Sequence, residues 1–157
     1  MPQMRQADID KGRTNQGHFK MYNKIIVAID LSQIEKGQAI IKRAETLVAT
    51  DGEIILVNVV EELPNYLAID VPVDLLQRSQ DEALDQLNVL LKASPRANRA
   101  VLRNGPPARE ILAYSEEIGA DLIIVASHRP DITNYFIGAT ADRVVRHSNC
   151  SVLIERN

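Results

Sequence analysis

Four stretches of the chain are almost continuously apolar and rich in β-branched residues: KIIVAID (24 to 30), EIILVNVV (53 to 60), DLIIVAS (121 to 127) and CSVLIER (150 to 156). A strand without polar alternation is one covered on both faces, so these runs predict a parallel sheet buried between helices. RAVLR (99 to 103) adds a shorter strand. Between the strands the apolar period changes to that of a helix. Ser32 and Glu35 have the spacing of a capping box, Ile40, Ala44, Leu47 and Val48 share the face that follows, and Asp51-Gly52 is a stop signal. From Asp74 to about Ser94, Leu76, Ala83, Leu84, Leu87, Leu90 and Leu91 form a core stripe on a helix with an acidic outer face. Gly105-Pro106-Pro107 turns RAVLR into a helix carrying Ile111, Leu112 and Ile118, which Gly119 ends.

The resulting alternation, β-α-β-α-β-α-β-α-β, is that of a three-layer α/β domain whose parallel strands are joined by right-handed crossovers. Ligands of such sheets bind beyond the carboxyl ends of the strands, near the point where strand order reverses. Two segments are expected there: the turn at Asp30, and ASHRPDITNYFIGATADRVVRH (126 to 147) after the fourth strand. Residues 61 to 73 hold two prolines and no regular period, a loop longer than most connections. Residues 1 to 20 are polar and aperiodic, and read as a disordered tail ahead of one domain at 21 to 157.

Composition narrows the function more than the fold. The net charge is -3, and the tail's excess of basic residues leaves the rest more acidic still, so no broad positive field is available for nucleic acid or anionic membrane. Aromatic residues make up only 4%, too few for base-stacking platforms. No apolar run approaches the ~18 residues of a membrane span, and the expected location is the cytoplasm. Cys150 is the single cysteine, at the start of an apolar strand, and reads as a buried, unreactive thiol. His18, His128 and His147 lack metal-ligand spacing, and no metal site is expected.

Gly138 precedes TADRVVRH, an amphipathic helix. The first amides of such a helix have no intrahelical acceptor and the dipole is positive there, which favours an anion, while glycine lets the backbone approach it. A plain turn has the same local signature. GxGxxG and GxxxxGK[ST] are both absent, which argues against a dinucleotide or Walker-type site.

Taken together, KIIVAID, LVNVV, NGPPAREIL and DLIIVASHRPDITNYFIGATADRVVRHSNCSVLIE resemble the universal stress protein family over residues 22 to 156, in the branch carrying a SHRPDIT-like stretch. The resemblance implies a Rossmann-like α/β/α fold with a five-stranded parallel sheet in the order 3-2-1-4-5. Nucleotide-binding members carry glycine, two residues, glycine, nine residues, glycine, then serine or threonine after strand four. Here Ala126 and Arg129 replace the first two glycines, eight residues (130 to 137) precede Gly138, and Ala139 takes the hydroxyl position with Thr140 next. Arg129 before Pro130 is biased to extended dihedrals, and its guanidinium offers charge-assisted bonds to phosphate in place of the lost glycine contacts.

Residue by residue, the resemblance implies that Ala28, Ile29 and Asp30 flank adenine and ribose, with Val59 as an apolar wall. Val125, Ala126, Ser127, His128 and Arg129 match the ribose-phosphate side, and Gly138, Ala139, Thr140 and Ala141 the phosphate cradle. Asp30 is equally explained as a turn residue bonding backbone N–H groups. The expected function is a stress-response regulator or sensor binding an adenine nucleotide, ATP foremost, with or without magnesium. It has no catalytic residues and at most slow hydrolysis. A homodimer through the last strand and an unidentified protein partner are also implied. The alternative is a nucleotide-free, dimeric interaction module of the same family; an electron-transfer flavoprotein lacks the extra segments it needs.

Overall fold

The computed structural model describes residues 21–61, 71–127 and 137–156. The expected tail at 1 to 20, most of the loop at 61 to 73, and His128 and Arg129 therefore lie outside the described residues. Strands β1 (Tyr22–Ala28), β2 (Val48–Val60), β3 (Arg99–Asn104), β4 (Leu122–Ala126) and β5 (Ser151–Glu155) form one sheet in the order β3-β2-β1-β4-β5, with every pairing parallel. Helices α1 (Ile34–Leu47), α2 (Val73–Ala93), α3 (Pro107–Ile118) and α4 (Ala139–His147) alternate with them.

Side-chain alternation along the central strands divides the core between the two faces. Ile25, Val27, Ile54, Leu56, Leu122 and Ile124 pack with Ile40, Ile41 and Ala44 of α1 and Leu87 and Leu90 of α2. On the other face Ile26, Ile55, Val57, Ile123 and Val125 pack with Ile111 and Tyr114 of α3 and Val144 of α4. The uninterrupted apolar runs are thus the consequence of two helical layers over one sheet, an α/β/α sandwich with a Rossmann-like order.

Three local expectations change. The capping box does not form, because Ser32 gives both its backbone N–H (2.9 Å) and its hydroxyl (2.6 Å) to Asp30 Oδ1, and α1 starts after Gln33 with no side-chain cap. α1 stops at Leu47 rather than at Gly52, since Val48 pairs with Tyr22 and opens the 13-residue β2. The leucine stripe of α2 is core only in its second half: Leu87 and Leu90 are buried, whereas Leu76 and Leu84 are each 37% exposed. A 21-residue helix is about 31 Å long while the six residues of β3 span about 20 Å, so the first turns of α2 overhang the sheet. Cys150 is half-buried just ahead of β5, with its Sγ 3.3 Å from Ser148 Oγ.

Candidate functional site

A cavity of about 380 Å³ opens at the carboxyl ends of β1, β2 and β4, a volume within the ~300–1,000 Å³ typical of small-molecule sites. β1 is the first strand in sequence and lies between β2 and β4. The chain therefore runs to one side of β1 through α1 and to the other through α3, and the two loops part over the cavity. This is the switch point at which an open parallel sheet leaves a crevice.

From β1 come Ala28, Ile29 and Asp30; from β2, Val59; from the end of β4, Val125, Ala126 and Ser127; and from the first turn of α4, Thr140 and Ala141. The fold thus gathers onto one hollow nine of the residues singled out in the sequence. Gly138 and Ala139 stand immediately before the α4 residues and do not themselves line the cavity.

Asp30 is held in an Asx-type turn. Besides the two bonds from Ser32, its Oδ2 accepts from Gln33 Nε2 at 3.1 Å. The turn interpretation of this carboxylate is correct, and it leaves the side chain on the cavity lining as well. Ile29 is fixed from both directions: its N–H donates to the Val57 carbonyl at 2.8 Å, and its own carbonyl accepts from the buried Asn58 Nδ2 at 2.9 Å. Ser127, also buried, donates its N–H to the Glu155 carbonyl at 2.9 Å, which ties this wall of the cavity to β5.

Just ahead of α4, Gly138 adopts φ 94° and ψ 144°, a conformation open essentially to glycine alone, and α4 begins without a side-chain cap. Among the described residues, a Cβ at 138 would meet nothing within 4 Å. The backbone conformation by itself demands glycine here. Asp142 N–H closes the first helical bond to the Gly138 carbonyl at 2.9 Å, so the amides of residues 139 to 141 precede the intrahelical ladder.

Several lining residues escape the sequence reading: Gln33 just ahead of α1, Lys36, Gly37 and Ile40 on α1, Asn58 on β2, and Pro107 and Ile111 on α3. The spacing of 33, 36, 37 and 40 is one stripe of a helix, and 107 and 111 are one turn apart. That signal is present in the sequence, but assigning it to a cavity needs the topology. Glu61, at the end of β2, completes the charged lining. Among the described residues no group of three or more His, Cys, Asp and Glu is placed to hold a metal ion, and no helix is long and apolar enough to cross a membrane.

Comparison with known proteins agrees with this architecture. Universal stress protein G of Shigella flexneri is 28% identical over 142 residues, covering 87% of this chain and all of that protein. The solved structure of hypothetical protein MJ0577 superposes with a TM-score of 0.73 at 24% identity, covering 87% of this chain and 97% of that one. A universal stress protein solved in complex with cAMP superposes with a TM-score of 0.55 at 20% identity, over 85% of this chain and 96% of its own. At these identities the two structures speak to the fold. The model of the universal stress protein family matches residues 21–156, and the chain belongs to that family.

Proposed function

We propose that the cavity binds an adenine nucleotide, ATP foremost, and that the protein is a cytoplasmic stress-response regulator or sensor whose nucleotide occupancy alters its contacts with a partner. The observation that carries this reading is the convergence on one hollow of an acidic turn, an apolar wall and an uncapped helix start. Val59 and Ile29 offer apolar surface to a base, Asp30 an acceptor for ribose hydroxyls, and the amides beginning α4 a cradle for phosphate. The cAMP complex of a relative of the same fold supports an adenine nucleotide as the ligand class.

No pair of described residues specifies a positioned water or a general base, so turnover, if measured, is slow and incidental to binding. Magnesium would enter with the nucleotide's phosphates and not through a dedicated ligand set. β5 forms one edge of the sheet, and a homodimer assembled through that edge is part of this proposal.

Mass spectrometry of small molecules released by denaturing gently purified protein tests the reading. An adenine nucleotide recovered near one per chain is the expected result. Protein that is empty and takes up no added ATP would instead favour the interaction module, a reading that the engagement of Asp30 by Ser32 and Gln33 and the alanines at 126 and 139 also support.

A further inference from the structure

Lys36 carries the only positively charged side chain among the described residues lining the cavity; the other charged ones, Asp30 and Glu61, are acidic. It lies on α1 about one turn beyond Gln33. Its half-buried side chain leaves that helix for the end of β4, where Nζ donates to the Ser127 carbonyl at 3.3 Å, linking positions 91 apart in sequence. This bond is long for a charged donor and engages one of three ammonium hydrogens. No described carboxylate forms an ion pair with it.

A partly desolvated ammonium that no described carboxylate pairs with is unfavourable unless something anionic completes it. The amino end of α4, with its partial positive charge, borders the same cavity through Thr140 and Ala141. A full charge from α1 and a dipole from α4 therefore act on one hollow from two different elements. A polyanion satisfies both; a neutral nucleoside satisfies neither.

We infer that Lys36 binds the phosphate chain of the nucleotide and makes affinity rise with the number of phosphates. Two of its hydrogens bond phosphate oxygens while the third keeps the Ser127 carbonyl, so the ligand is gripped without disturbing the end of β4. This inference rests on the nucleotide reading of the cavity and adds the residue that sets selectivity among nucleotides.

Calorimetric titration of adenosine, AMP, ADP and ATP into wild type, Lys36→Met, Lys36→Gln and Lys36→Arg tests it. In the wild type, affinity climbs along the series. In Lys36→Met and Lys36→Gln the preference for ATP over adenosine shrinks roughly ten- to a hundredfold, the loss expected for charge-assisted bonds; Lys36→Arg keeps most of it. Both ligands meet the same folded population, so the ratio is insensitive to a general loss of fold. An unchanged ratio, or equal weakening of adenosine and ATP, overturns the role of Lys36. A wild type that binds the nucleotides without discrimination overturns it too, and leaves the nucleotide reading intact. Absence of binding by all four overturns both.

Discussion

The side-chain amide of Asn58 donates to the carbonyl of Ile29 at 2.9 Å, joining the carboxyl ends of β2 and β1 beside the cavity. Asn58 is 9% exposed, so this bond is made where water competes poorly. It holds the backbone that presents Asp30.

Asn58→Ala removes the donor and leaves a main-chain acceptor short of its partner. We expect a loss of about 1–2 kcal/mol in urea unfolding, together with ATP affinity reduced about threefold to tenfold as the turn at 29 to 33 loosens. Unchanged stability would mean that the turn is held by its other bonds alone.

Gly138 is set by its backbone, with φ at 94°. Gly138→Val forces a β-branched residue into a region it rarely visits, costing about 1–3 kcal/mol, and places methyl groups where a phosphate would approach. Nucleotide binding should be lost while the sheet's circular-dichroism signal persists. Retained binding would move the phosphate site away from the start of α4.

Gly52 is needed for a different reason. A Cβ there would lie 2.7 Å from Val48 Cγ2 and 3.0 Å from the carbonyls of Tyr22 and Asn23. Gly52→Ala should destabilise by about 1–3 kcal/mol, because two of those atoms are backbone. At Gly37, inside α1, the nearest atom is an Ile29 methyl at 3.5 Å, an ordinary contact. Gly37→Ala should therefore gain about 0.5–1 kcal/mol from helix propensity. Paired urea melts check the two together, and equal effects would contradict the packing described.

Arg43 on α1 grips Glu155 of β5 through two bonds, Nε to Oε2 at 3.0 Å and Nη2 to Oε1 at 3.1 Å. The hydrogen bonds from Arg43 hold the Glu155 carboxyl below its usual value of 4.5, against a smaller opposing effect of burial. A carboxyl depressed in the folded state binds fewer protons there than when unfolded, so its stabilisation is present above pH 4.5 and fades as pH falls through the lower folded value. The stability difference between wild type and Glu155→Gln should thus be level near neutral pH and shrink under acid. Because Arg43 remains 49% exposed the effect is small, and it should weaken with added salt. A difference independent of pH would remove Glu155 from this linkage.

The sheet was readable from sequence because its strands are covered on both faces. Ile25 to Val27, Ile54 to Val57 and Leu122 to Val125 are buried without interruption, which is the pattern the apolar runs display. The end of α1 was not readable. Val48, Ala49 and Thr50 continue a helical period, and only the pairing of Val48 with Tyr22 turns them into strand. Locally equivalent choices of this kind are decided by tertiary contacts.

The candidate site divides in the same way. Asp30, Val59, Ser127 and Thr140 lie at strand ends or at a helix start, places where chain order alone suggests exposure to a ligand. Lys36 and Asn58 lie inside regular elements, where a lysine reads as solvated surface and an asparagine as an interruption in an apolar strand. Their place on the cavity follows from how α1 and β2 sit beside β1, which no local spacing encodes.

The central claim, that this cavity holds an adenine nucleotide, is tested most directly by calorimetry and thermal unfolding of ligand-free protein with ATP. The expected outcome is saturable binding at one site per chain, with stabilisation of about 2.7 kcal/mol at a hundredfold excess over Kd. No heat of binding and no change in melting with ATP, ADP or AMP would contradict it.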